Sequence, residues 1–504
     1  MSALLIMLPI AFPFLSVIVS LVCRNAFERS AKRRNTWVAF TLVLEAVIVL
    51  FASAAGTGIL HAADPGQLKE GISWAVTDRI SLIFRIDPLS VFFSSLTAVI
   101  WLCAGIFSFE YMKHEDHCSA YYRFYLLIEG AIVAVACAGN YVTLYMSFEF
   151  MSILSFPLVM HARTKEAIVA AQKYLFYSVF GACLGLAGVF YLSAWLPGTV
   201  FREGGYYEAA VSSGHVEGIL IVVMLAVIGF GTKAGMFPMH AWLPTAHPVA
   251  PAPASAVMSG IITKCGIVAV IRIVFYLTGA ELIRGTWVQY VWMILALLTV
   301  FMGSMLAYME RGFKKRLAYS SVSQVSYVLF GLSTLTVFSL VGALLHILFH
   351  SVIKDLLFLC SGAVIHKTGE TRVDNLRGIG KRMPVTMWCF VIASLGLVGI
   401  PPACGFFSKW YLAMGALSGG MGVFSVTGPV ILLISALLTA GYLFTICMRA
   451  FLPGRDFDYA RLVKCDPGPL MTVPMIILAA AVMLLGLFAG PFVTWFTDLA
   501  ELLL

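Results

Sequence analysis

The chain alternates between apolar runs of about 20 residues and short polar or glycine-rich gaps. A helix rises 1.5 Å per residue, so a run of that length spans the hydrocarbon core of a bilayer. Fourteen such helices are expected, centred near residues 13, 48, 95, 131, 151, 182, 227, 265, 297, 326, 350, 396, 438 and 483. The tenth and eleventh have the fewest breaks to separate them, because Leu317 to Ile365 is almost continuous. Two helices look interrupted. The seventh carries Gly229, Gly231, Lys233, Gly235 and Pro238 before an expected break at Pro244, and the twelfth carries Gly396, Gly399, Pro401, Pro402 and Gly405 ahead of Lys409. Proline removes a backbone donor and glycine loosens the turn. In a bilayer such unwinding is tolerated only where neighbours or water satisfy the freed groups. Two broken helices five positions apart point to a pair of five-helix repeats, the fourth to eighth and the ninth to thirteenth, each with a buried site. The expected boundaries are 1–121 for three N-terminal helices, 122–279 and 280–453 for the repeats, and 454–504 for the last helix.

Composition agrees with this pattern. Hydrophobic residues make up 61% and charged residues 12%, against about 25% charged in soluble domains, so the expected class is an all-α polytopic membrane protein. The N-terminus enters apolar sequence at Ala3–Leu5 without a basic n-region, and the first segment is expected to stay as a helix. The eleven cysteines are scattered, with no CxxC pair, which fits buried small hydrophobes better than disulfides or iron–sulfur ligands.

The net charge of +8 is spent on topology, not on nucleic acid. Twenty-three of the 33 Lys and Arg fall in loops after odd-numbered helices, among them Arg33, Lys314, Arg316, Lys381, Arg455 and Arg461; Lys69, Arg79, Arg202 and Arg284 are the four after even-numbered ones. By the positive-inside rule the odd loops face the cytoplasm and both termini lie outside.

The other six cations, Arg85, Lys233, Lys264, Arg272, Lys354 and Lys409, stand inside apolar runs. Insertion scales set about 2.5–3.5 kcal/mol against a lysine at mid-bilayer, so several retained ones argue for use. Glu149 in the fifth helix and Lys233 in the seventh are a candidate acid–amine pair, whose separation would make the lysine a proton donor. Lys264 is a second amine to receive that proton. His346, His350 and Lys354 fall at i, i+4 and i+8 on one helix face, where histidine can relay protons near neutral pH. Asp355 points about 100° away from Lys354. Lys409 would end the path, with Glu129, Arg85, Asp87 and Asp355 as accessory candidates. Glu45 reads equally as structural or functional, and Arg272 is expected near enough to a helix end to snorkel. The run Gly-Phe-Gly-Thr-Lys-Ala-Gly lacks phosphate-loop spacing, and no cluster has metal-ligand spacing.

The stretch from Lys233 to Pro248, its continuation to Gly260, and then Lys264 together resemble the signature of the antiporter-like membrane subunits. These are the large membrane-arm subunits of respiratory complex I, the Mrp cation/proton antiporters and the group 4 hydrogenases such as formate hydrogenlyase. Asp87–Ser90, Lys315–Gln324 and His350–His366 agree, so the resemblance covers nearly the whole chain. It implies fourteen helices, two inverted five-helix repeats each with a broken helix, and a proton path at mid-membrane. On it Glu149 and Lys233 would be the coupling pair, Lys264 the central lysine, His346, His350 and Lys354 the relay, and Lys409 the terminal residue.

The resulting expectation is a proton-translocating subunit of a redox-driven complex, hydrogenase-like or complex I-like, in a bacterial or archaeal cytoplasmic membrane. It holds no cofactor itself; nickel–iron and iron–sulfur clusters, or flavin, would sit in partner subunits. Partners would be other membrane subunits, soluble redox subunits, lipid and H⁺, or H⁺ with Na⁺. Two alternatives are an Mrp-type Na⁺/H⁺ antiporter subunit without redox partners and a non-conducting membrane scaffold.

Overall fold

The computed structural model describes residues 2–60, 64–78, 80–454, 457 and 463–504; Arg79, Arg455 and Arg461 of the loop cations lie outside the described residues. The N-terminal group is α1 (Ser2–Val22), α2 (Ala31–Gly56) and α3 (Pro88–Tyr111). Next come α4 (Cys118–Ala136), α5 (Tyr141–Val159), α6 (Lys165–Trp195), α7 (Val216–Ala234), α8 (Leu243–Val249) and α9 (Ala252–Thr278). The second half holds α10 (Trp287–Met309), α11 (Phe313–Ser333), α12 (Val337–Thr368), α13 (Pro384–Val398), α14 (Gly405–Ser418) and α15 (Val423–Phe451), followed by α16 (Pro469–Leu487) and α17 (Ala489–Leu503).

Among the described residues, twelve helices are long and apolar enough to cross a membrane, so the chain is a multi-span membrane protein. The two expected spans outside that count are α11 and the pair α13–α14. The first carries Lys314, Lys315, Arg316 and many serines, and the second is split into pieces of 15 and 14 residues. Length and hydropathy alone therefore support twelve. One departure from the all-α expectation is a hairpin of β1 (Ile72–Ala75) and β2 (Ser81–Phe84) in the loop before α3. Its alternation of Ile72, Trp74 and Val76 with smaller or polar residues is the period of a strand.

Both interruptions use the same local device. Helix α7 ends at Ala234 with Gly235 at φ +83°, and α13 ends at Val398 with Gly399 at φ +91°. Only glycine takes that left-handed conformation without a Cβ penalty. The first break lies at 235–242, upstream of its expected place. Pro244 stands in the first turn of α8, where its missing N–H is no loss.

The core lies where α9 and α12 meet. The apolar window of α9 is 100% buried and that of α12 is 89% buried, against 39% for α6 and 33% for α15, whose Phe176, Phe190, Leu433 and Leu437 face outward. Helix α12 runs 32 residues without a break and touches α3, α9, α11, α13, α14, α16 and α17. It is the strut that the two halves share.

Two expectations about basic residues are corrected here. Arg272 does not snorkel: it is fully buried, with Nη1 and Nη2 donating to Asp87 Oδ2 at 2.5 Å and Oδ1 at 2.9 Å, and Nη2 also to Ala136 O at 3.1 Å. Asp87 is available because Asp-Pro-Leu-Ser is a helix start: Asp87 Oδ1 accepts from Ser90 N at 2.9 Å and caps α3. Arg85 stands between β2 and α3, not inside a helix, and its Nη2 lies 3.1 Å from Asp87 Oδ2. The second correction concerns Lys314 and Arg316, which the run pattern assigns to a loop. They lie in the first turn of α11, buried, donating to Ala250 O at 2.6 Å and Tyr442 O at 3.0 Å. Lys314 thus takes the carbonyl at the end of α8, and Arg316 adds to Tyr442 O the carbonyl at the end of α10, with Nε donating to Glu310 O at 2.8 Å.

Candidate functional site

Lys233 occupies the last turn of α7, buried against α5 and α6. Its Nζ donates to Tyr174 OH at 2.5 Å, Ser152 Oγ at 2.9 Å and Ser178 Oγ at 3.4 Å. The Tyr174 ring lies 4.4 Å away, with Phe148 at 5.9 Å and Trp242 at 6.0 Å. The ammonium thus sits in hydroxyls and aromatic faces, which stabilise a cation without supplying a negative charge. Glu149 is half-buried one turn before Ser152; its Oε1 has no hydrogen-bond partner, and among the described residues no ion pair joins it to Lys233. The two are electrostatic neighbours without contact.

Helix α9 approaches α7 closely at this point. A Cβ on Gly266 would collide with the Phe230 carbonyl and lie 3.1 Å from Lys233 Cβ, so only glycine fits. Lys264, two residues earlier, is fully buried. Residues Met258–Ile262 form a π-helical turn, which releases a backbone carbonyl, and Lys264 Nζ donates to Ser259 O within it. No signal in the sequence marked that turn.

His346, His350 and Lys354 on α12 share one face as their spacing required. His346 and His350 stack with ring centroids 5.6 Å apart, and Tyr327 stacks on His346 at 5.5 Å. His346 Nδ1 lies 2.9 Å from Ser408 Oγ at the start of α14, while its Nε2 and both nitrogens of His350 are buried without partners. Lys354 Nζ donates to Ser320 Oγ at 2.7 Å and Leu317 O at 2.9 Å, and Tyr442 OH donates to the same Ser320 Oγ at 2.8 Å. Lys264 is an electrostatic neighbour of Lys354, His350 and His346, so an amine of α9 lies close to the basic face of α12. Lys409 folds back over the break, donating to Leu397 O at 2.6 Å and Val398 O at 2.9 Å. These are the carbonyls that the end of α13 leaves free, and they give an ammonium a place among helix-end dipoles. A groove of about 360 Å³ opens beside Lys409 between α14 and α15.

Of the accessory candidates, Arg85 and Asp87 belong to the Arg272 cluster, away from this chain of groups. Glu129 and Asp355 are buried with both oxygens unpartnered.

One residue was missed by the sequence reading. His247 on α8 is fully buried, stacked on Phe358 at 4.7 Å, with neither ring nitrogen partnered. It is an electrostatic neighbour of Lys264, Lys354 and Lys314. A cleft of about 440 Å³ lined by Glu115, Glu310, Arg311, Lys314 and Arg372 reaches Lys314 from the side of the odd-numbered loops. The signal available was the second histidine of the Met-His-Ala-Trp-Leu-Pro-Thr-Ala-His run, which α8 turns inward.

Residues 138–439 match the family described as NADH:quinone oxidoreductase/Mrp antiporter, TM, and residues 74–125 match complex I, chain 5 N-terminus. The chain is 35% identical over 416 residues to NADH-quinone oxidoreductase subunit N of Desulforudis audaxviator, across 80% of this chain and 81% of that one. It is 28% identical over 503 residues to a Na(+)/H(+) antiporter subunit of Alkalihalophilus pseudofirmus, across 99% and 97% of the two chains. Among solved structures, a chain of the membrane-bound sulfane sulfur reductase, an archaeal respiratory membrane complex, matches with TM-score 0.85 at 22% identity, over 100% of this chain and 97% of that one.

Proposed function

The chain belongs to the NADH:quinone oxidoreductase/Mrp antiporter family of membrane subunits, and on that premise we propose that it moves protons through a buried line of Glu149, Lys233, Lys264, His247, His346, His350, Lys354 and Lys409. The observation that carries this reading is the run of amines and imidazoles whose partners are hydroxyls and carbonyls, not fixed counter-ions. A group held by neutral acceptors can lose and regain a proton without breaking an ion pair. Glu149 approaching Lys233 would hold its proton, and Glu149 withdrawing would release it towards Lys264. From there the proton passes among Lys354, His350 and His346, with His247 joining the line to the cleft at Lys314. Lys409 is the last amine before the lateral groove.

The energetic requirement is modest. Moving one proton against 100 mV takes about 2.3 kcal/mol, which a swing of under two pKa units in one lysine supplies at about 1.36 kcal/mol per unit. The segments 122–279 and 280–453 are read as two five-helix repeats because each carries one break closed by a left-handed glycine, and as inverted copies because the family resemblance implies it. The excess of cations in the odd-numbered loops supports a cytoplasmic position for those loops and an outside position for both termini.

The complex around it is read as redox-driven, with its clusters or flavin in soluble partners, because the 35% identical relative is a quinone oxidoreductase subunit. A second reading, a subunit of a Na⁺/H⁺ antiporter, is favoured by the end-to-end match to the Alkalihalophilus antiporter chain. Purification from native membranes separates them. Co-purifying nickel–iron or flavin subunits support the first, and small membrane subunits without metal support the second. Loss of turnover-linked proton transport in Lys233→Ala with assembly intact is expected under either, and unchanged transport would overturn the path.

A further inference from the structure

Three carboxyl groups outside the lysine–histidine line are buried in the same way. Glu45 on α2, Glu129 on α4 and Asp355 on α12 are 0–1% exposed, and none of their six oxygens has a hydrogen-bond partner. No ammonium or guanidinium lies within ion-pair distance of any of them among the described residues. Three bare anions in an apolar core would be prohibitively unfavourable, so groups in this setting carry protons.

They are also aligned. Tyr121, Tyr125 and Glu129 stand at i, i+4 and i+8, one face of α4, the same spacing as His346, His350 and Lys354 on α12. Asp355 is an electrostatic neighbour of Tyr121 and Tyr125 at one end of this face, and Glu129 of Glu45 at the other. Tyr125 OH donates to Trp101 O at 2.7 Å, but Tyr121 OH, equally buried, has no partner. Asp355 in turn neighbours Lys264, and its Oδ1 would lie 3.6 Å from a Cβ on Gly260, in the π-helical turn before that lysine. One turn beyond the two glutamates, Val49 and Val133 line a small, mostly apolar cavity of about 10 Å³ that also takes in Ser53, Ser90 and Ser94. That volume is of the order of one water molecule. It leads to the Asp87–Ser90 helix start beside the Arg272 cluster. Helix α1 has no ionisable residue. Beside these acids α3 offers Cys103, a neighbour of Asp355, while its Glu110 is engaged at the last turn by Gly468 N at 2.7 Å.

The geometry points to a second, acidic proton branch: Glu45 and Glu129 hold exchangeable protons that reach Lys264 through Tyr125, Tyr121 and Asp355, filled from the side of Asp87 across that small cavity. In each step a carboxylic acid gives its proton to the neighbouring oxygen as it takes one from the group behind it, so no bare carboxylate is left in the core. A phenol passes a proton by accepting on oxygen while donating its own, so no redox partner is needed. The branch deepens the proton-conducting reading and rests on it.

The test uses the full-length chain, in the complex it forms in native membranes, placed in lipid nanodiscs for infrared spectroscopy and in vesicles for proton transport. At neutral pH, protonated-carboxyl C=O bands that shift in D₂O are expected. Glu45→Gln, Glu129→Gln and Asp355→Asn should each remove part of them. Transport should fall about three- to tenfold in Glu129→Gln and Asp355→Asn. Tyr121→Phe is the decisive variant, because it deletes only an unpartnered oxygen; a packing role predicts no loss, and the branch predicts slower transport. Unchanged carboxyl bands in all three amides, or unchanged transport in Tyr121→Phe and Glu129→Gln together, overturn the branch. Lys233→Ala measured alongside keeps the two readings apart. If it stops transport while these variants do not, the branch falls and the main line stands.

Discussion

Two regions of this molecule bury charge, and they handle it in opposite ways. Around Asp87 every charged group has a charged partner: Arg272 grips both carboxylate oxygens and Arg85 closes from the other side. Along α7, α9, α12 and α14 the amines rest on hydroxyls and carbonyls, and several imidazole nitrogens rest on nothing. The first arrangement fixes a proton inventory and ties α9 to α3 and α4. The second leaves each proton weakly committed. Both carry the cost of burial, but only the first gets a strong pair in return, which is why the proposed proton path runs through the second.

The contrast predicts that transport and stability separate under mutation. Lys233→Ala should reduce turnover-linked proton transport by about 10²–10⁴-fold, the range expected when a proton-transferring group is removed, while thermal stability of the complex stays near wild type. Stopped-flow pH indicators in vesicles and a melting assay read the two, and a melting loss as large as the transport loss would merge the regions. Asp87→Asn should do the reverse. It leaves Arg272 buried and half-paired, at about 3–5 kcal/mol, so folded yield and melting temperature fall sharply. Transport per assembled complex should change far less.

Glu149→Gln sharpens the comparison inside the proposed proton line. It keeps the shape but removes the acid that faces Lys233, and transport should drop by about tenfold, equivalent to one pKa unit of lost control. An effect as small as a surface substitution would mean that Lys233 is switched by something else. The smallest expected effect is Tyr174→Phe, which removes one of three hydroxyls around Lys233. Loss of a hydrogen bond to a charged group is worth about 1.5–3 kcal/mol, part of which Ser152 and Ser178 retain, so transport should slow severalfold with no loss of assembly.

Much of this was legible in the chain. Run length predicted spans, glycine and proline marked both breaks, and cations inside apolar runs marked Lys233, Lys264, Lys354 and Lys409, because a buried charge is costly wherever the fold puts it. The i, i+4, i+8 spacing placed His346, His350 and Lys354 on one face, since helix periodicity alone decides that. What could not be read was which partner each charge would find. Arg272 lies 185 residues from Asp87, and nothing local distinguishes a locked guanidinium from one that snorkels. Lys314 and Arg316 looked like loop cations because four basic residues in six suggest solvent, yet α11 begins early enough to carry both into the protein.

The sequence by itself determined where charge enters the membrane and where helices must break, because hydrophobic period and backbone freedom are local properties. Only the tertiary structure decided which charges are paired and which are left to hydroxyls, carbonyls and bare imidazoles. That choice depends on what α3, α5, α9 and α12 bring together from distant parts of the chain. It also decided that His247 turns inward and that Tyr121, Tyr125 and Glu129 come within electrostatic reach of Asp355 or Glu45, since a helix face acquires meaning only from the helix packed against it.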